Sequence, residues 1–177
     1  MTKSASGSAQ GIGTSMEGSD GNMADSALDT ARDRFMERIG IVAQAEGMTR
    51  IAGRAFALLI FDGEEIAFGA LAERLQVSRA SVSTNMRLLE ERGLVLRLAK
   101  TGARQDYFRL ADDAFGRMLK VVRERSAQAH AEIDATLHEL PREAHDVRAR
   151  VEAYSQFYTA VDEGLGFAIS KIARPQE

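Results

Sequence analysis

The sequence predicts a mainly helical fold carrying one small β-hairpin, and three observations lead to that expectation. Apolar residues recur at helical spacing over most of the chain from Asp25 onward. Only after Gly93 does the pattern turn to alternation, with Leu94, Leu96 and Leu98 on one strand face and a second apolar strand from Tyr107 to Leu110. Between them the stretch from Ala99 to Asp106, with Gly102 near its middle, closes a hairpin.

The individual elements follow from spacing and punctuation. Residues 1–24 hold five glycines and five serines and almost no large apolar side chains, too little to offset the entropy of ordering, so a disordered tail is expected there. Leu28, Phe35, Ile39 and Val42 then share one helical stripe, giving a helix over residues 25–48 that ends near Gly47. A second helix is expected from Arg50 to Phe61, stopped by Asp62 and Gly63, with a short strand from Ile66 to Phe68. Leu71, Ala72 and Leu75 mark a short helix, and a longer one begins at Ser78.

Past the hairpin, Asp112 or Asp113 is expected to cap a helix lined by residues such as Phe115, Met118, Leu119, Val122, Ile133 and Leu137. Pro141 ends it. In the last helix Val147, Val151, Tyr154, Tyr158, Val161 and Leu165 alternate steps of four and three, a seam that calls for a partner helix. Gly164 and Gly166 each cost about 1 kcal/mol relative to Ala inside a helix, which predicts either a bend or a closely approaching backbone.

Charge distribution narrows the partner. From Ser78 to Leu110 seven basic residues face three acidic ones, a balance of +4 in a chain whose net charge is −3. A basic island in an acidic protein is what a local polyanion-binding surface requires. The absence of cysteine excludes disulfides, thiolate zinc sites, cysteine nucleophiles and thiol redox sensing. The longest apolar run, Ala55 to Phe61, falls far short of the ~18 residues that span a bilayer, and the opening residues lack the basic and apolar stretches of a secretory signal. A cytoplasmic location with no membrane partner is therefore expected.

Catalysis is not expected either, since no nucleophile elbow, phosphate loop or framed carboxylate pair is readable, and no cofactor is implied. Gly11, Ile12 and Gly13 resemble a fragment of a phosphate loop but lack the preceding strand. His130, His138 and His145 are spaced eight and seven apart across Pro141, which does not bring them to one helical face, so a metal-responsive regulator stands only as a weak alternative.

The helix beginning at Ser78 is the best-specified element. Ser78 suits an N-cap, Val77 and Val82 occupy the positions of a hydrophobic staple, and Gly93 sits where a left-handed C-terminal residue is wanted. At 100° per residue Val82, Met86 and Leu89 face the core, while Ala80, Ser83, Thr84 and Arg87 face away. Arg79 lies in the first turn, where the amides of Ser78 to Ser81 and the positive helix end favour phosphate. Lys100 and Arg104 flank Gly102 at the hairpin tip. Helix, helix and basic hairpin in this order have the appearance of a winged helix-turn-helix, with recognition helix 78–92 in a DNA major groove and wing 99–106 on the adjacent backbone or minor groove. The binding set is thus Ser78, Arg79, Ala80, Ser81, Ser83 and Thr84, together with Arg87, Lys100 and Arg104. Asn85 projects nearer the core, where an amide tying backbone groups is as good a reading as a base contact.

The segments from Arg50 (RIAGRA), from Leu71 (LAERLQVSRASVSTNMRLLEERGLV) and from Gly102 (GARQDYF) resemble the MarR superfamily, in particular its GbsR-like branch, over about residues 46–118. The resemblance implies a transcriptional regulator, expected to be a ligand-responsive repressor, that binds a double-stranded operator as a homodimer. It implies N-terminal (25–48) and C-terminal (112–177) dimerisation helices around a DNA-binding region at 49–111, with a small-molecule pocket between. Two positions depart from the family pattern: Thr49 stands where Pro is common, and Ala67 replaces the usual Ser or Thr cap of the first helix of the pair, which should fray that helix. Some relatives are linked to choline or glycine betaine, for which Tyr154, Phe157 and Tyr158 offer an aromatic cage, against core or dimer packing as the simpler role. Two recognition helices would then address half-sites ~34 Å apart. The other alternative is a winged helix that binds protein instead of DNA.

Overall fold

The computed structural model describes residues 17–172, with side chains from Met23 onward. Helices α1 (Glu17–Ala45) and α2 (Arg50–Asp62) are followed by strand β1 (Ile66–Ala67), helices α3 (Phe68–Leu75) and α4 (Arg79–Glu91), and strands β2 (Val95–Leu98) and β3 (Tyr107–Leu110). Two long helices close the chain, α5 (Ala114–Glu139) and α6 (His145–Ile172). Helix α1 begins inside the stretch 1–24 expected to be a disordered tail; residues 1–16 of that stretch lie outside the described ones. A helix already nucleated can propagate through Gly18 and Gly21 at about 1 kcal/mol each.

The core is centred on α2, which buries Ala52, Ala55, Phe56, Ala57, Leu58 and Leu59. It is buried on several sides at once, and so its apolar run reads as continuous instead of striped. Leu71 and Leu75 of α3, Val82, Met86 and Leu89 of α4, and Val95 and Phe108 of the sheet complete the cluster. Each such side chain contributes about 1.5–3 kcal/mol by leaving water.

The α1 stripe differs from the one expected. Leu28 and Val42 are exposed, and the face laid on α2 is Met36, Gly40 and Ala43 with Phe35 and Ile39 at its edge. Gly40 and Gly53 set this geometry: a methyl group placed on Gly53 would lie 2.9 Å from the Gly40 Cα, and one on Gly40 would lie 3.1 Å from the Arg50 carbonyl oxygen. The backbones meet where apolar counting sees nothing.

The hairpin belongs to a three-stranded antiparallel sheet of order β1-β3-β2, in which Ile66 faces Phe108 and Val95 faces Leu110. Leu94, Leu96 and Leu98 do not form its buried face. Leu94 is buried, but its N–H bonds back to the Leu89 carbonyl (2.9 Å) while Gly93 (φ +66°) bonds to Glu90 (2.8 Å), so it closes α4 in a Schellman motif. Val95 is the inward residue and Leu96 is exposed. Asp113 takes the N-cap position of α5 without a side-chain capping bond; Asp112 pairs instead with Arg109, and Asp113 with Lys120 (3.3 Å).

Helices α5 and α6 form an antiparallel hairpin whose seam is fastened by polar rungs. Arg123 donates to both carboxylate oxygens of Asp162 (2.6 and 2.8 Å), and Arg148 donates to the carbonyls of Leu137 (2.8 Å) and Leu140 (3.1 Å) at the end of α5. Helix α6 continues through Gly164 and Gly166. Position 164 opens onto empty space, and a methyl group placed on Gly166 would lie 3.7 Å from the Arg123 guanidinium.

Gly53→Ala should lower stability by about 1–3 kcal/mol in urea titration, because overpacking at the α1–α2 crossing outweighs the better helix propensity; a gain of stability would contradict this close approach. The hydrogen bonds from Arg123 hold the Asp162 carboxyl below the ordinary value of 3.8. This contribution is therefore present above pH 3.8 and disappears as pH falls through the depressed folded-state value. Asp162→Asn should lower the melting temperature at neutral pH, and the difference from wild type should vanish in acid below that value; a constant difference would assign the rung another role.

Candidate nucleic-acid interface

Helix α4 presents its polar face outward because both ends are fixed locally. The Ser78 side chain accepts the Ser81 N–H (3.2 Å), and Val77 packs against the core beside buried Val82. Ala80, Thr84 and Arg87 are exposed, Ser83 is half-buried, and the Thr84 hydroxyl donates to the Ala80 carbonyl (3.1 Å). Arg79, exposed in the first turn, lays its guanidinium over the Phe68 ring at 5.0 Å. Phe68 opens α3 and leans on Phe108, so the first turn of α4 is braced by the neighbouring helix.

Asn85 is the buried polar residue of this region, 6% exposed. Its amide nitrogen donates to the Ser81 carbonyl (2.7 Å) and its oxygen accepts from the Thr49 hydroxyl. Thr49 in turn N-caps α2 by accepting the Ala52 N–H (3.0 Å). Asn85 thus fastens the start of α2 to the middle of α4. The departure at position 49 acquires a role here: a proline would lack the hydroxyl on both counts.

The seven basic residues from Ser78 to Leu110 divide into two groups. Arg97 pairs with Glu90 (3.0 Å) and Asp106 (3.7 Å), Arg109 with Asp112, and Lys100 with Glu65 (2.6 Å). Arg79, Arg87, Arg92 and Arg104 have no carboxylate within ion-pair distance among the described residues. Within this segment α4, its C-cap and the wing tip therefore hold the unneutralised charge, whereas the flanks of the sheet are internally paired. Gly102 at the tip adopts φ +81° with open space around it, which keeps the turn narrow.

Ala67 at the N-cap of α3 makes no side-chain capping bond, yet the amides are satisfied from the wing. Gln105 Oε1 accepts the Gly69 N–H (3.0 Å) and the Asp106 carbonyl accepts that of Phe68 (2.9 Å). The cap missing from the local sequence is supplied from 36 residues away. At the other end of α3, Gln76 takes φ 55°, a position that usually holds glycine, which concealed the turn in the sequence.

The other expected groups are placed as follows. Tyr154, Phe157 and Tyr158 lie together on α6 but against one another, with the Tyr154 and Tyr158 rings in edge contact at 5.2 Å and Phe157 and Tyr158 at 5.4 Å. The hydrogen bond shared with Tyr154 raises the Tyr158 hydroxyl above its ordinary titration value. Among the described residues no three side chains assemble a metal-holding group, and no helix is long and apolar enough to cross a membrane. Ser155, His130 and Asp134 do meet across α5 and α6, but the Ser155 hydroxyl donates to Asp134 (2.8 Å) and lies 2.8 Å from His130 Nε2. Its proton is directed to the carboxylate and not to the imidazole, so this is a clasp between helices instead of a nucleophile with its base.

A pair of helices, the second capped and outward-facing, followed by a two-stranded wing with an unpaired arginine at its tip defines a winged helix-turn-helix, and residues 46–105 match the model of the MarR family. The chain is 40% identical over 82 residues to the HTH-type transcriptional regulator MmpR5 of Mycobacterium tuberculosis, a match that spans 46% of this chain and half of that protein's length. A solved structure described as a transcriptional regulator superposes with a TM-score of 0.62 at 26% identity, covering 82% of this chain and 99% of its own.

Gln105→Ala should remove hydrogen-exchange protection from the Gly69 amide and fray the start of α3, at a global cost of about 1 kcal/mol. Unchanged protection at Gly69 would show that the wing does not cap α3.

Proposed function

We propose that this chain is a ligand-responsive transcriptional regulator that binds double-stranded DNA as a homodimer, with α4 in the major groove and the wing on the flanking backbone or minor groove. The observation that carries the reading is the free charge on that face: Arg79 and Arg87 on α4 and Arg104 on the wing stand exposed without carboxylate partners among the described residues. Ser78, Ala80, Ser81, Ser83 and Thr84 supply the small polar surface between them. The finer placement in the GbsR-like branch rests on the segment from Ser78 to Asn85, and repression by occlusion of polymerase is the simplest output of such a protein.

The long helices support the dimer. No residue of the 28-residue α6 is buried within the single chain. Large apolar side chains stand exposed on all three long helices: Ile41 and Val42 on α1, Val121 and Val122 on α5, and Phe157 and Phe167 on α6. A second chain that covers them would also explain the open space over Gly164. Between the two regions, a cavity of about 510 Å³ is lined by Met48, Leu94, Met118 and Val122 with Arg92 and Arg117 at its edge, which gives an effector a place to bear on both α4 and α5.

Titration of duplex DNA over a range of salt tests the reading. Wild type should weaken steeply with salt; Arg87→Ala should cost about 1–3 kcal/mol and relax sequence preference, and Arg104→Ala should flatten the salt slope by about one unit. Salt-insensitive binding, or none, would sink it, and sedimentation showing only single chains would remove the dimer.

A further inference from the structure

Lys100 leaves β2 just before the wing tip, but its side chain does not extend toward the tip. It folds back across the outward face of the sheet, with Nζ 4.3 Å from the centre of the Tyr107 ring on β3 and 2.6 Å from the Glu65 carboxylate that precedes β1. The contact gathers three parts of the sheet: the cation from just beyond β2, the ring under it from the middle strand β3, and the anion from just before β1. The hydrogen bond with Glu65 raises the ammonium's titration above its ordinary value. Arg109, the other cation whose charge Glu65 influences, is occupied by Asp112. Glu65 therefore has Lys100 as its ion-pair partner.

We propose that Glu65 is an internal competitor for phosphate that withholds Lys100 from DNA and so limits the sequence-independent affinity of the wing. This rests on the DNA-binding reading above. Arg104, unpaired at the tip, makes the wing's standing phosphate contact; Lys100 is held in reserve by an anion of its own chain. A flexible lysine suits this role, since its compact ammonium exchanges one oxygen partner for another without the planar geometry an arginine would require. Phosphate contacts carry affinity and base contacts carry specificity, so a lysine kept off the backbone raises the share of binding that depends on sequence.

The test uses the full-length chain, a labelled duplex of arbitrary sequence, and the variants Glu65→Gln, Lys100→Gln and the double substitution. Glu65→Gln should tighten binding to this duplex several-fold at low salt and steepen the slope of log K against log salt by about 0.9, the increment for one further phosphate contact. Lys100→Gln should cost far less affinity in the wild-type background than in the Glu65→Gln background, where it should abolish the gain. Glu65→Gln binding that is unchanged or weaker overturns the proposal, and so does a gain that survives Lys100→Gln, which would reflect general charge. Absence of duplex binding by wild type overturns the functional reading together with this one, whereas wild-type binding with a silent Glu65→Gln overturns this one alone. Nitrogen-detected NMR titration of the Lys100 ammonium gives a readout without DNA: its raised value should fall in Glu65→Gln, and a value that does not move refutes the pairing.

Discussion

Helix α2 is the constraint on which the rest depends. It packs against α1, α3, α4 and β3 together, and it buries side chains along most of its length. The glycine contact with α1 draws the N-terminal helix close, Phe56 reaches the edge of Phe115 at the start of α5, and Thr49 at its own N-cap holds Asn85 of α4. A shift of α2 is therefore felt by the recognition helix and by both long arms. Close-packed interiors transmit such shifts because they have no slack to absorb them.

The electrostatics follow a division of labour. Two cations of the sheet and one of the α5–α6 hairpin are matched to carboxylates: Arg97 to Glu90, Arg109 to Asp112, Arg123 to Asp162. These pairs are solvent-exposed and each contributes little to stability. Their effect is on the field. On the segment from Ser78 to Leu110 the Arg97 and Arg109 pairs cancel charge on the flanks of the sheet and leave Arg79 and Arg87 on α4 and Arg104 at the wing tip uncompensated, even though the chain as a whole is acidic.

The wing and the helix pair are a single mechanical unit. Gln105 and Asp106 terminate the backbone amides of α3, Phe68 of α3 rests on Phe108 of the wing, and Arg79 of α4 rests on Phe68. The position of the tip relative to the recognition helix is thus set by contacts across three elements. Rigid spacing of this kind is what a binding surface with two separate contact points on one duplex needs.

The sequence by itself determined the parts that short-range chemistry controls. Ser78, Val77 with Val82, and Gly93 act within a few residues, so the limits of α4 and its outward face were legible, as were the ends of α2 at Thr49 to Arg50 and Asp62 to Gly63 and the hairpin that makes the wing. What only the tertiary structure decided involves partners far apart in the chain. The α1 face turned on Gly40 meeting Gly53, and glycine carries no hydrophobic signal to count. The cap of α3 came from Gln105, the place of the expected strand at Ile66 in the sheet from its pairing with Phe108, and the fate of Arg97 and Arg109 from where a carboxylate lay. Leu94 read as strand because alternation cannot distinguish a pleat from the last residue of a helix cap. Local rules fix where an element starts and stops, whereas the face it buries and the charges it neutralises depend on neighbours that only folding brings together.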